Sequence, residues 1–269
     1  MPTDLPAGAR ELAENLNTLL PLGAGEERIV RDGYVLWLGT VASHPAFTVV
    51  QRLRLAADGV DAAVAEVRAL LAARGRPCAS WEVGPSATPA GLAERLLARG
   101  LVPFDEPVAT GMVLRRPLIA PPTSIVARAV EGVDDCVAAF EVLHDVFQER
   151  TETSAERRQR AVEALQPARV AARRVFVATD AGRVVAAATS LYTDDAVVLG
   201  GAATLPDARG RGAYRALVAA RHADAVRRGT PTLVIQAGAM SRPILERLGF
   251  EEVVKIHILL DVLRGNPLD

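Results

Sequence analysis

The sequence is short of cysteine, of aromatic residues and of long apolar runs. Its 269 residues hold only two cysteines, Cys78 and Cys136. Two thiols so far apart form neither a disulfide framework nor a zinc ligand set, so both are expected to be buried thiols in a reducing compartment. Aromatic residues make up 4% of the chain, which implies an aliphatic core and few of the stacking platforms used by single-strand nucleic-acid binders. A formal net charge of −1 supplies no bulk attraction to nucleic acid. No apolar run reaches the ~18 residues of a membrane span. The first residues mix Asp4, Arg10, Glu11 and Glu14 into the apolar positions, unlike the basic head and unbroken apolar stretch of a secretion signal. The expectation is a cytoplasmic protein with no nucleic-acid or membrane partner.

Several reaction classes lack their signature. No Gly-x-x-x-x-Gly-Lys-Ser/Thr run is present, which excludes a Walker loop. No Gly-x-Ser-x-Gly elbow occurs, so a serine hydrolase of that design is excluded. His44, His144, His222 and His257 do not have metal-ligand spacing, and no metal is expected.

What is present is hydrophobic patterning of both periods. An amphipathic helix is expected over 8–20, with Leu12, Leu16, Leu19 and Leu20 on one face. Strands follow at 28–31, 34–40 and 47–55, then a helix over 59–74, a strand over 78–83, a helix over 89–99 and a strand over 110–114. Pro117, Pro121 and Pro122 cannot continue a helix or a central strand and mark a linker. Beyond it come a strand (125–129), two helices (133–150 and 154–165) and strands over 175–179 and 184–191 around the hairpin signal Asp180-Ala181-Gly182. A strand over 197–205, a helix over 212–228, a strand over 232–236, a short helix over 242–247 and a strand over 253–260 close the chain.

The two halves share a weak repeat. Arg74-Gly75-Arg76-Pro77 leads through a strand to Glu94-Arg95-Leu96 and Gly100-Leu101. Arg228-Gly229-Thr230-Pro231 leads likewise to Glu246-Arg247-Leu248-Gly249-Phe250. A repeat of this kind implies two copies of one fold.

The informative stretch is Ala203-Thr204-Leu205-Pro206-Asp207-Ala208-Arg209-Gly210-Arg211-Gly212-Ala213-Tyr214. An apolar strand enters a Gly/Arg loop that opens directly into a helix. Glycines let successive N–H groups turn toward one point, and the helix start adds unpaired N–H groups and a positive dipole end. The result is an anion site of phosphate size, to which Arg209 and Arg211 are expected to add charge. A dinucleotide fingerprint fits poorly, because position 215 is Arg where a third glycine belongs.

On these residues the segment 125–260 resembles the GNAT acyltransferases. Arg209-Gly210-Arg211-Gly212-Ala213-Tyr214 is similar to that family's acyl-CoA pyrophosphate loop, and Ile244-Leu245-Glu246-Arg247-Leu248-Gly249-Phe250 to its closing signature. The resemblance implies an α/β chain of the α+β type, with two GNAT-like domains, each a mixed, mostly antiparallel sheet flanked by helices. It divides the chain into a degenerate copy (1–116) without the loop, a linker (117–124) and an acyl-CoA-binding domain (125–269). Two strands of that domain are expected to splay and admit the pantetheine arm against Ala203, Thr204 and Leu205. Acetyl-CoA or another acyl-CoA is the implied co-substrate. The degenerate copy has Ala56-Ala57-Asp58-Gly59 where its own loop belongs, and is expected not to bind CoA.

The implied reaction is direct attack of a small-molecule amine on a thioester. An alkylammonium has a pKa of about 10.4, so freeing its lone pair at neutral pH costs about 4 kcal/mol, which a base or desolvation must supply. Glu141, His144 and Glu149 lie on the helix that often lines the acceptor site in this fold, and Glu141 and His144 can share a face. Tyr192 is the candidate acid, since the family's frequent Tyr is replaced by Leu245. The thioester oxyanion needs a donor such as a backbone N–H of the splayed strand, where Gly200-Gly201 suggests a bulge or the close approach of something bulky, with simple packing the other reading. Solvated-helix and strand-end readings of Glu141, His144 and Tyr192 stay open, as do two further readings of the whole chain. One has an acyl carrier protein delivering the pantetheine arm. The other is a non-catalytic binding module.

Overall fold

The computed structural model describes residues 5, 7–120, 122–147 and 152–263. In chain order its elements are α1 (Ala7–Glu14), β1 (Glu27–Val30), β2 (Val35–Leu38), β3 (Thr48–Gln51), α2 (Val60–Ala72), β4 (Cys78–Val83), α3 (Leu92–Leu97) and β5 (Val102–Leu114). These are followed by β6 (Val126–Ala129), α4 (Val133–Phe147), α5 (Ser154–Ala164), α6 (Pro167–Ala172), β7 (Arg173–Asp180), β8 (Arg183–Tyr192) and β9 (Val197–Thr204). The chain closes with α7 (Ala213–Arg227), β10 (Leu233–Ala237), α8 (Arg242–Arg247) and β11 (Glu251–Val262).

Two compact units result. The N-terminal unit contains residues 10–112, 236–242 and the described residues from 252 on; the C-terminal unit contains 113–235, 243–251 and the described residues before 10. In the N-terminal unit the strand order is β1-β2-β3-β4-β11-β5, and in the C-terminal unit it is β10-β9-β8-β7-β6. The pairs β1–β2, β2–β3 and β4–β11 in one unit and β6–β7, β7–β8 and β8–β9 in the other are antiparallel, while β3–β4 and β9–β10 are parallel. Each parallel pair is joined by a crossover helix, α2 or α7, as parallel strands require. Each parallel ladder is only two residues long: Val49–Ser80 and Val50–Trp81 in one unit, Leu233–Val197 and Val234–Val198 in the other. Beyond those pairs the strands separate.

The core of the N-terminal unit gathers Leu36, Leu38, Val50, Val64, Val67, Leu71, Trp81 and Leu96. In the C-terminal unit the sheet is covered on both faces. One face packs Phe176, Ala186 and Ala188 under Ala213, Ala216 and Leu217 of α7. The other packs Val177, Ala187 and Ala203 under Cys136, Ala139 and Phe140 of α4. Alternation along β8 sends Ala186 and Ala188 to one helix and Ala187 to the other.

Three boundaries differ from the sequence expectation for local reasons. Helix α1 stops at Glu14 because Asn15 leaves helical geometry (φ −129°, ψ 63°) and its side chain accepts the Arg52 N–H at 2.8 Å. Strand β3 stops at Gln51 because Arg52 takes φ 54°. Strand β5 begins at Val102, eight residues before the expected start at Thr110. Pro103 and Pro107 read as breakers, yet this stretch is largely exposed, where a missing N–H costs no ladder bond.

The last strand, β11, pairs antiparallel with β4, from His257 opposite Val83 to Val262 opposite Cys78, and the described residues from 252 on lie in the N-terminal unit. Its buried Asp261 holds the Arg68 guanidinium on α2 at 2.7 Å. The proline segment is tied down too: the Ile119 N–H donates to the Leu248 carbonyl at 3.2 Å.

Candidate functional site

The site begins where β9 ends. Leu205 is held to β8 by its N–H on the Val185 carbonyl at 2.9 Å. A short 3-10 turn, Pro206–Ala208, then reverses the chain. Gly210 takes φ 75° and Gly212 φ 96°, left-handed values that L side chains rarely adopt. Helix α7 follows at Ala213, with Gly212 as its N-cap and no side-chain cap on its amides. Among the described residues, no acceptor meets the N–H groups of residues 210–215. A Cβ at Gly212 would come within 2.9 Å of the Thr123 Oγ1, and that hydroxyl donates to the Arg211 carbonyl at 3.4 Å. The loop is thereby braced from outside while its amides stay free. Of the site predicted from sequence, Arg209, Gly210, Arg211, Gly212, Ala213 and Tyr214 meet here, at the end of Ala203-Thr204-Leu205.

The loop's arginines make contacts of their own. The Arg209 Nε donates to the Thr204 carbonyl at 3.3 Å. Arg211 pairs with Asp180 at 2.5 Å and Arg183 with Asp207 at 2.6 Å. The Arg183 guanidinium holds the Asp207 carboxyl below its usual range. Arg209 thus keeps its full charge at the loop, while Arg211 shares its charge with Asp180. The Tyr214 hydroxyl is buried and unpartnered, its pKa raised by burial.

The edge of β9 completes the geometry. Its pairing with β8 runs from Tyr192–Val197 to Ala186–Thr204, with a register shift between Ala188 and Thr189. Ala188 faces Ala202 and Thr189 faces Gly200, so Gly201 is the extra residue of a β-bulge. On the β10 side the ladder ends at Val198, so residues 199–204 have no strand partner there among the described residues. A Cβ built on Gly201 would lie 3.9 Å from the Phe147 ring of α4.

The N-terminal unit has the same parting of strands but closes it with its own chain. Beyond Val50 and Trp81, Arg54 bridges Thr88 in parallel register. The Thr88 N–H donates to the Leu53 carbonyl and the Leu55 N–H to the Thr88 carbonyl, both at 3.1 Å. The Asn17 N–H reaches the Gln51 Oε1 at 2.7 Å. Gln51 in turn donates to buried Glu82 at 2.9 Å, whose pKa rises to about 7 through burial.

The predicted acid and base candidates separate. Tyr192 sits where β8 meets the start of β9, about seven residues or 23 Å along the strand from the loop. Its hydroxyl donates to the buried Asp224 carboxylate at 2.5 Å, and Arg228 stacks on its ring at 4.1 Å. Arg174, Arg227 and Arg228 complete a clamp on Asp224 at 2.6, 2.8 and 3.1 Å. Burial and the Asp224 carboxylate raise the phenol pKa. The structure does not bring Tyr192 to the loop, and this arrangement holds β8 to the end of α7. Glu141 is exposed and accepts from Arg157 at 3.3 Å. His144 is half-buried, one helical turn from Phe147. Glu149 lies outside the described residues. Leu245 is fully buried. His222 has its pKa lowered by burial, and His44 caps a 3-10 turn. Cys78 and Cys136 are free and buried, the Cys136 thiol pushed up to about 11 by burial. No metal-binding group of His, Cys, Asp and Glu occurs among the described residues, and no described helix is long and apolar enough to cross a membrane.

One residue near the bulge was missed. Arg221 on α7 is fully buried and reaches the Gly200 carbonyl at 3.4 Å. Its spacing of four from Leu217 and eight from Ala213, both core residues, was the signal available in the sequence.

Residues 128–253 match a family model described as an acetyltransferase (GNAT) domain. No curated protein matches the sequence. Among solved structures, a GCN5-related N-acetyltransferase from Kribbella flavida is similar over 97% of this chain and 97% of its own, at 20% identity and a TM-score of 0.69. A tandem GNAT protein from the clavulanic acid biosynthesis pathway is similar over 98% of this chain and 90% of its own, at 18% identity and a TM-score of 0.60. A GCN5-related N-acetyltransferase from Sphaerobacter thermophilus is 18% identical over 88% of this chain and 83% of its own, with a TM-score of 0.63. The chain thus has the GNAT fold, a mixed α/β architecture of mostly antiparallel sheets flanked by helices, and is similar over nearly its whole length to a tandem GNAT protein.

Proposed function

We propose that the protein is an acyl-CoA-dependent acyltransferase that moves an acyl group, most simply acetyl, to the amine of a small molecule by direct attack. The observation that carries this reading is the bare start of α7 beside the unpartnered edge of β9. Residues 210–214 offer converging N–H groups to a diphosphate, and the α7 dipole adds about 0.3–2 kcal/mol. The free edge at Ala203, Thr204 and Leu205 offers strand-type hydrogen bonds to the amides of a pantetheine arm. The Gly201 N–H is the donor for the carbonyl oxygen that gains charge during attack. His144, one turn from Phe147, is the base in this reading. Residues 1–116 act as a copy of the fold that binds no CoA, because its parted strands are already bridged and Asp58 stands where phosphate would bind. The donor is free acyl-CoA rather than a carrier-bound thioester.

Calorimetry of acetyl-CoA against the full chain tests the reading. Binding to the wild-type protein, lost in Gly212→Glu with the circular dichroism spectrum unchanged, supports it. Binding that persists in Gly212→Glu contradicts the assignment of the loop. Thiol release with a panel of amines separates catalysis from mere binding. Turnover only with a carrier-bound thioester would replace the donor.

A further inference from the structure

Arg221 is an unusual residue to find in a small α/β unit. Its side chain is fully buried, and no carboxylate pairs with it among the described residues. Its Nε donates to the Leu217 carbonyl of its own helix at 3.2 Å. Its Nη1 donates to the Thr189 carbonyl at 3.3 Å and to the Gly200 carbonyl at 3.4 Å. Its Nη2 is buried without a partner. Burying an arginine without a counter-charge is expensive, and here burial pulls its pKa down to about 10. Packing alone does not account for it, since a methionine would fill similar space without that cost.

The place it reaches explains the cost. Thr189 and Gly200 are register partners, and the shift that makes Gly201 the extra residue falls beside them. One guanidinium nitrogen bonds both carbonyls, so the two oxygens converge across the β8–β9 boundary. A trans peptide is planar, with its carbonyl and the following N–H antiparallel. Holding the Gly200 oxygen toward Arg221 therefore turns the Gly201 N–H the opposite way, away from α7. Gly200 fits this arrangement because a Cβ there would lie 2.6 Å from the Thr189 Oγ1.

We infer that Arg221 is a positioning residue: by gripping the Thr189 and Gly200 carbonyls from beneath the sheet, it fixes the bulge and aims the Gly201 amide at the site of acyl transfer. The chemical half of this inference rests on the acyltransferase reading. The structural half, that the bulge depends on Arg221, does not.

The test uses the full-length protein and two variants, Arg221→Met and Arg221→Lys. Crystal structures without ligand read the β9 register. Loss or reversal of the Gly200–Gly201 bulge in Arg221→Met supports the inference, and an unchanged bulge with the amide in the same direction overturns it. With acetyl-CoA, the expected result in Arg221→Met is an affinity within threefold of wild type and a kcat for thiol release at least tenfold lower. The infrared band of the bound, carbon-13-labelled thioester carbonyl should move back toward its value in solution. Arg221→Lys, whose ammonium has similar reach, should recover part of both effects, and it carries the test if the methionine variant does not fold. Unchanged kcat and an unmoved carbonyl band overturn the chemical half. A wild-type protein that binds no acetyl-CoA overturns the acyltransferase reading and that half with it, while the register comparison still decides the structural half.

Discussion

At the scale of single residues, burial decides which ionisable groups are free to act. Glu82 lies among Gln51 and Gln236, both donating to its Oε2, and its pKa is raised from 4.5 to about 7. The folded chain keeps the proton that the unfolded chain loses near pH 4.5, so stability falls as pH rises from about 4.5 to about 7 and stays lower above. The full effect is at most about 3 kcal/mol. An amide imitates the protonated acid, so Glu82→Gln should raise the melting temperature at pH 8 and change it little at pH 4.5. Equal gains at both pH values would show that Glu82 is not the titrating group. Tyr192 makes the opposite point. Its sequence position suggested an acid, but its hydroxyl serves Asp224. Tyr192→Phe should leave thiol release within twofold of wild type and cost about 1–2 kcal/mol in urea unfolding. A large loss of kcat at unchanged stability would return Tyr192 to the chemistry.

At the scale of elements, what was legible depended on whether local pattern or distant contact sets the boundary. Strand β4 and helix α8 lie where the patterning put them, and α7 starts at the expected glycine, because Gly/Arg punctuation acts locally. The hairpin between β7 and β8 turns on Ala181 at φ 47° and Gly182 at φ 82°, as the Asp-Ala-Gly signal implied. The end of α1 was not legible, since the partner of Asn15 lies 37 residues away. Helix α6 was missed for lack of a strong apolar period in its six residues. The Gly200-Gly201 pair announced a bulge, but nothing in the sequence says which strand it faces. Helix α4 carries the element-scale prediction. Phe147 near Gly201 places its last turns by the bulge, so His144→Gln should lower kcat about tenfold or more with acetyl-CoA affinity unchanged. Glu141→Gln, already engaged by Arg157, should change neither. A reversed pattern in steady-state assays would move the base to Glu141.

At the scale of the whole molecule, each unit draws on more than one stretch of the chain. An alternating strand pattern reports which face of a strand is buried and not which strand it joins, so the destination of β11 could not be read from 251–262. It completes the N-terminal unit between β4 and β5, with Leu259 in that unit's core and Asp261 gripping Arg68. A chain ending at residue 250 should therefore expose the N-terminal unit's amides to hydrogen exchange from β4 through β5. Protection there equal to the full chain would contradict the pairing.

Both units part a pair of parallel strands, but only one leaves the parting open beside a bare helix start. Titration of acetyl-CoA into the full chain, followed by calorimetry, is the direct measurement. One site per chain, abolished by Gly212→Glu, is the expected result. No heat of binding, or a site that survives Gly212→Glu, would contradict it.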